Sequence, residues 1–148
     1  MTGWRPTVAA IIERDGRFLM VEETDKVNPE KVFNQPAGHV EPGETLLEAV
    51  ARETREETGL PFTPEAFLGL YQLKARNGLD YLRAAFIGSV PEGMTPVPQE
   101  GEILACHWLT REEIAARPRS SVVMKVIEDY LAGVRYPLGV VDHLHEDR

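Results

Sequence analysis

The sequence is poor in cysteine, in cations and in long apolar runs, and each scarcity removes a class of protein. Cys106 is the lone cysteine, so no intrachain disulfide can staple the fold, and a reducing, cytoplasmic setting is the expectation. With one cysteine there is no Cys/His spacing of the structural-zinc type. No run of eighteen apolar residues occurs, which argues against a membrane helix. The opening residues Met1 to Pro6 carry no apolar stretch of the secretory-leader kind. Lysine and arginine number 16 against 24 aspartate and glutamate, giving a net charge of -8. Such a chain is not expected to bind a nucleic-acid polymer through its phosphates.

What is present is ordinary globular usage, 43% hydrophobic and 27% charged. The 148 residues are the size of one domain. We expect a single domain over 1–148, monomeric or homodimeric, with a frayed charged tail at 143–148. An acidic protein can still take a phosphorylated small molecule if a divalent cation sits between the two negative partners. The location of the acid therefore matters, and it is concentrated: Glu41, Glu44, Glu48, Glu53, Glu56 and Glu57 fall within seventeen positions.

Around that segment the pattern is mixed. Thr7 to Ile12 is apolar and β-branched and predicts a strand. Arg14-Asp15-Gly16 predicts a hairpin turn into a second strand, Phe18 to Val21. Thr24 to Lys31, with Asn28-Pro29, is a loop. Phe67 to Leu73 and Tyr81 to Ile87 flank the turn Arg76-Asn77-Gly78, a second hairpin. Pro91 to Gly101 is a long loop and Ile103 to Leu109 a further strand. Thr110 to Glu113 is a capping box opening a short helix. Ser121 to Leu131 has helical periodicity and stops near Gly133. Strands interrupted by helices give a mixed α/β class.

The acidic segment predicts a helix over Leu46 to Thr58. Thr45 and Glu48 form a capping box, Gly59 suits a left-handed helix end, and Pro61 blocks continuation. At about 100° per residue, Leu47, Val50, Ala51, Thr54 and Thr58 share an apolar stripe. Glu53, Glu56 and Glu57 group on another side. Like charges three and four residues apart repel, at a few tenths of a kcal/mol per pair. Two readings fit this trio: a solvated acidic face, partly offset by Arg52 and Arg55, or a site for a hard cation that prefers carboxylate oxygens.

The residues from Gly38 to Leu60 resemble the Nudix box. Its pattern is Gly, five residues, Glu, seven residues, Arg-Glu, an aliphatic, any residue, Glu-Glu, any residue, Gly and an aliphatic. Gly38, Glu44, Arg52, Glu53, Glu56, Glu57 and Gly59 occupy its fixed positions. Thr54 departs from it, standing where an aliphatic is usual. Further likeness in Val21 to Thr24, Phe33 to His39 and Arg135 to Leu138 points to a phosphatase branch of that family.

The resemblance implies an α/β fold with a mixed β-sheet sandwiched between helices (α/β/α). It implies an enzyme that uses Mg²⁺, with Mn²⁺ as a substitute, to hydrolyse phosphoanhydrides of small molecules. The implied substrates are nucleoside tri- and diphosphates, hydroxymethylpyrimidine pyrophosphate and thiamine pyrophosphate. Oxidised nucleotides and nucleotide sugars are alternatives, and a nucleotide-sensing domain without turnover is the non-enzyme alternative.

By the same resemblance Glu53, Glu56, Glu57 and the Gly38 carbonyl are metal ligands. Glu44 and Arg52 support the catalytic ligands. Glu100, in the long loop, is a metal ligand or the general base, with Glu53 the competing base and Glu102 beside it. For the substrate, Lys31, Arg83 and Lys26 are candidate phosphate partners and Gln35 a candidate reader of a base edge. Phe33, Trp4 and Tyr81 are candidate stacking platforms. His39 is expected to orient the box loop and His107 to be structural.

Overall fold

The computed structural model describes residues 3–25 and 29–146. Its strands form two four-stranded sheets. In the first, β1 (Trp4–Ile11) lies between β5 (Ala37–His39) and β7 (Asp80–Ser89), and β6 (Thr63–Lys74) flanks β7. The β1–β7 pair is parallel and the others are antiparallel. In the second, β3 (Arg17–Thr24) pairs antiparallel with β2 (Glu13–Arg14), β4 (Lys31–Asn34) and β8 (Ile103–Leu109).

The Asp15-Gly16 turn forms as expected, with φ of 53° and 80° at its two residues. It closes β2 onto β3, however, and β1 departs into the other sheet. The sequence gives no warning of this switch because Val8 to Ile12 are all buried. A strand covered on both faces loses the alternation that would name its partner. Strands β4 and β5 are not anticipated either. They are four and three residues long, divided by Gln35-Pro36, too short for a period-two pattern to show. The expected hairpin of β6 and β7 is present, and 91–102 runs without regular structure.

Helices cover both faces, as the α/β/α expectation requires, although the strands between them divide into two sheets. Helix α1 (Leu46–Thr58) places Ala49 and Val50 in a cluster with Val8, Ala10, Leu19 and Phe86. On the opposite face α2 (Arg111–Ala116) supplies Ile114, and α3 (Ser121–Leu131) supplies Val122, Val123, Val126 and Ile127. These pack on Ile11, Phe18, Met20 and Ile87. The charged tail is not wholly free: the Leu46 N–H donates to His143 Nε2 at 3.2 Å.

Helix α1 has the expected limits and the expected caps. The Thr45 hydroxyl accepts from the Glu48 N–H, and the Glu48 carboxylate accepts from the Thr45 N–H. Thr54 is fully buried and donates to the Val50 carbonyl at 2.8 Å. Its hydroxyl is thus satisfied within the helix, which is how a polar residue occupies a usually aliphatic position. The buried side of α1 differs from the expected stripe. Ala49, Val50, Thr54 and Thr58 are buried while Leu47 and Ala51 are only partly so. The buried arc is therefore rotated toward Glu53 and Glu57, which the sequence assigns to a separate side.

Gly59 ends α1 at φ 76°, its N–H donating to the Arg55 carbonyl at 2.8 Å. The loop before β8 then docks on this end: Val97 N–H donates to Thr58 O at 2.8 Å and Gln99 N–H to Glu56 O at 3.2 Å. A Cβ at position 59 would lie 3.0 Å from Gln99 Nε2 and 3.1 Å from Val97 O. Gly59→Ala should cost about 1–2 kcal/mol from the left-handed backbone alone, read as a lower urea midpoint. An unchanged midpoint would show that the docked loop is not fixed at this glycine.

Candidate active site

A cleft of about 980 Å³ opens beside β5 and the last two turns of α1. The box residues come to it from two directions. Gly38 and His39 arrive on β5, while Arg52, Glu53, Glu56 and Glu57 project from α1. The docked loop adds Glu100 and Glu102.

Arg52 ties these pieces together. Its Nε donates to Glu44 Oε2 at 2.5 Å and its Nη2 to Glu44 Oε1 at 3.0 Å. Nη2 also donates to the His39 carbonyl at 2.9 Å. Nη1 donates to Glu53 and Glu56, each at 3.1 Å. One guanidinium thus links the loop before the helix to two carboxylates on it. Hydrogen bonding to Arg52 holds the Glu44 carboxyl below the usual carboxylate range.

Glu53 and Glu57 sit in the opposite electrostatic situation. Glu57 accepts from the Ala37 N–H at 3.0 Å, yet burial pushes its carboxyl up to about 9. Burial likewise raises Glu53 to about 7, against the lowering by Arg52. Glu100 adds to both shifts as a neighbouring negative charge. The Glu53 carboxylate lies against Gly38 so closely that a Cβ there would fall 2.1–2.3 Å from it. Glycine at position 38 is what admits the carboxylate to the backbone of β5.

The donor set fits a hard divalent cation. Carboxylate oxygens are the preferred ligands of Mg²⁺, and buried carboxylates without a full counter-charge gain most from a cation. Among the described residues no three acidic or imidazole side chains already converge on one point. The carboxylates share a cleft instead, because Arg52 draws Glu53 and Glu56 toward itself.

The substrate candidates divide. Arg83 and Tyr81, alternate residues of β7, line the cleft, and the Tyr81 ring lies 6.2 Å from His39. Three others are corrected. Gln35 is 2% exposed, and both ends of its amide are engaged within the protein, so it meets no base edge. Phe33 is 6% exposed, under the Arg117 guanidinium at 4.7 Å and against His107, and offers no open ring face. Lys31 is exposed at the start of β4 but does not line the cleft. Trp4, 42% exposed at the start of β1, does not line it either, and Lys26 lies outside the described residues. His107 pairs with Glu22 at 2.9 Å.

Asn34, Glu23 and Arg119 line the cleft and were not singled out from the sequence. Asn34 donates to Glu23 at 3.2 Å, and Glu23 pairs with Arg119 at 3.0 Å. They sit on β4, on β3 and before α3, and no local spacing signals that they meet.

A capped acidic helix thus lies over a two-sheet core, its carboxylates gathered by one arginine and opening on a cleft. The NUDIX domain model matches residues 3–130, and the chain belongs to that family. It is a pyrophosphohydrolase acting on phosphoanhydrides, in a family that generally uses a divalent metal such as Mg²⁺. It is 40% identical over 137 residues to phosphatase NudJ of Escherichia coli, an alignment covering 91% of this chain and 88% of the relative. A NUDIX hydrolase from Nitrosomonas europaea superposes with a TM-score of 0.87 at 41% identity, covering 95% of this chain and 97% of that one. A MutT NUDIX hydrolase from Burkholderia pseudomallei shares the fold, with a TM-score of 0.73 at 22% identity over 85% and 97% of the two chains. Among the described residues no helix is long and apolar enough to cross a membrane.

The raised carboxyls make stability depend on pH. Above their ordinary value of 4.5 the unfolded chain has lost protons that folded Glu53 and Glu57 keep, until about 7 and about 9 respectively. Native protein binds more protons across this window, so stability falls as pH rises through it. The thermal midpoint of metal-free protein should decline from about pH 5 to about pH 9, and Glu57→Gln should flatten the upper part of that decline. Parallel curves for the two proteins would refute the account of Glu57.

Proposed function

We propose that this chain is one domain that uses Mg²⁺ to hydrolyse the phosphoanhydride bonds of nucleoside tri- and diphosphates and related pyrophosphates. Hydroxymethylpyrimidine pyrophosphate and thiamine pyrophosphate belong to the same substrate set. The observation that carries the reading is the half-buried pair Glu53 and Glu57 at the edge of the cleft, two carboxylates whose desolvation makes ionisation costly unless a cation compensates it.

Glu53, Glu56, Glu57 and the Gly38 carbonyl are the groups that would hold the metal. Bound there, Mg²⁺, with Mn²⁺ as a substitute, would neutralise the diphosphate and acidify an attacking water. The chain's own residues do the rest. Arg52 and Glu44 hold the liganding carboxylates in register with β5. Glu100 takes the proton of the attacking water. In support, Val97 and Gln99 bind its loop to the end of α1, and its charge is felt at both Glu53 and Glu57. Arg83 meets a substrate phosphate from the far wall of the cleft. Catalysis then rests on positioning and charge neutralisation, as phosphoryl transfer requires.

A phosphate-release screen with Mg²⁺ tests the reading. Its panel holds nucleoside tri- and diphosphates, an oxidised nucleoside triphosphate, a nucleotide sugar, thiamine pyrophosphate and hydroxymethylpyrimidine pyrophosphate. Wild-type protein should release product from the first or last classes. Glu57→Gln should lose ~10²-fold or more of that rate with an unchanged far-ultraviolet spectrum. Mg²⁺ should also raise the thermal midpoint more at about pH 8 than at about pH 6, because binding must displace the carboxyl protons. Full turnover by Glu57→Gln would sink the assignment.

A further inference from the structure

Buried Gln35 and half-buried Arg83 form a polar pair that the proposed metal-binding machinery leaves unexplained. Gln35 follows β4 directly. Its Nε2 donates to the Val123 carbonyl in the first turn of α3 at 3.0 Å, and its Oε1 accepts from Arg83 Nη1 at 2.9 Å. Arg83 Nη2 donates to Asn34 Oδ1 at 3.3 Å. The guanidinium is therefore gripped from behind by two neutral amides, one of them anchored to a helix. Across the sheet Arg83 is paired with Thr7, which is paired in turn with His39. All three residues line the same cleft.

Among the described residues no carboxylate lies within 4 Å of the Arg83 guanidinium, although Arg52, Arg111, Arg117 and Arg119 each have one. Burial is the largest influence on Arg83 and pulls it down to about 10, with Glu23 and Glu57 acting only as more distant charges. A desolvated cation with amide partners has a deficit of negative charge. Two of the five guanidinium N–H groups are taken by Gln35 and Asn34, leaving three for a ligand, enough for a bidentate pair to phosphate oxygens.

We propose that Gln35 is a positioning residue: with Asn34 it aims the Arg83 guanidinium across the cleft at a phosphate of the pyrophosphate substrate. A neutral amide does this without cancelling the charge, whereas a carboxylate in its place would compete with the phosphate for the same cation. The inference rests on the pyrophosphohydrolase reading of this cleft and names the residues that orient its second wall.

The test is a double-mutant cycle on Gln35→Met, which keeps the length of the side chain, and Arg83→Ala. Three quantities are read with Mg²⁺ present: calorimetric affinity for imidodiphosphate, and kcat and KM on the substrate the wild type turns over fastest. Arg83→Ala should weaken affinity by about tenfold to a hundredfold, the usual range for hydrogen bonds to a charged group. Gln35→Met should weaken it several-fold and raise KM by the same factor while kcat changes less than about twofold. The double variant should match Arg83→Ala, because Gln35 acts only through Arg83.

Asn34→Ala removes the other grip at a less buried position. It should repeat the KM effect, so the proposal is tested even if Gln35→Met unfolds. Additive losses in the double variant would overturn the positioning role. So would a Gln35→Met protein with a lower thermal midpoint and unchanged affinity. Wild type that binds and turns over while Arg83→Ala binds equally well overturns this inference alone. Wild type that neither binds imidodiphosphate nor releases phosphate overturns the magnesium reading and this inference with it.

Discussion

The fold of this chain is organised around a cost: two carboxylates of one helix are held where water is scarce. Glu57 is the more deeply affected and accepts from the backbone of Ala37. Glu53 lies against Gly38, where any side chain would exclude it. Removing water from a carboxylate disfavours its charged form, and Glu56 and Glu100 add repulsion at Glu53. A structure selected for stability alone would gain by turning these groups outward. That they line a cleft half-buried makes sense if the counter-charge arrives with function.

Much of the surrounding architecture holds that arrangement in place. The Thr45–Glu48 box starts α1 and Gly59 stops it, so the register of the acidic residues is fixed at both ends. Arg52 fastens Glu44 and His39 to the same helix. At the other end, backbone bonds from Val97 and Gln99 bring the long loop onto Thr58 and Glu56. The left-handed turn at Gly59 leaves room for that contact. Three separate stretches of chain thus meet at one helix through capping, one guanidinium and two backbone bonds. The satisfied hydroxyls of Thr54 and Thr58 let the underside of the helix bury without an unpaired polar atom.

The legibility of the sequence follows the range of the interactions. Helix α1 was readable to the residue because its caps and its charges are local. The Asp15-Gly16 turn and the β6–β7 hairpin were readable for the same reason. The sheet switch after Ile11 was not, since a strand buried on both faces gives no sign of its neighbours. The face of α1 was misjudged because periodicity treats Glu as solvent-seeking. Here Ala49 is buried while Leu47 is only partly so, and the buried arc reaches Glu57. Gln35, beside the box, and Phe33, an aromatic just before it, read as ligand contacts from residue type and local position. Their burial depends on α3 and on Arg117, both more than eighty residues away in the chain.

The two walls of the cleft differ in a way that bears on how an acidic protein handles phosphates. The wall built from α1 is written in one continuous motif and is negative. The opposite wall is assembled in part from β4, β7 and the start of α3, with Arg83 and Arg119 among its cations. Arg119 is neutralised by Glu23, but Arg83 is held by amides and keeps its charge. In a chain of net charge -8, long-range steering does not favour a phosphate, so attraction has to be short-ranged and desolvated. Under the proposed reading, the Arg83 guanidinium, held by amides and sharing the cleft with the carboxylates of α1, meets that requirement. The motif helix thus carries one wall of the cleft, while the other is assembled from residues scattered through the sheets. The motif wall is therefore legible in a short stretch of sequence, whereas the opposite wall becomes visible only when the strands are assembled.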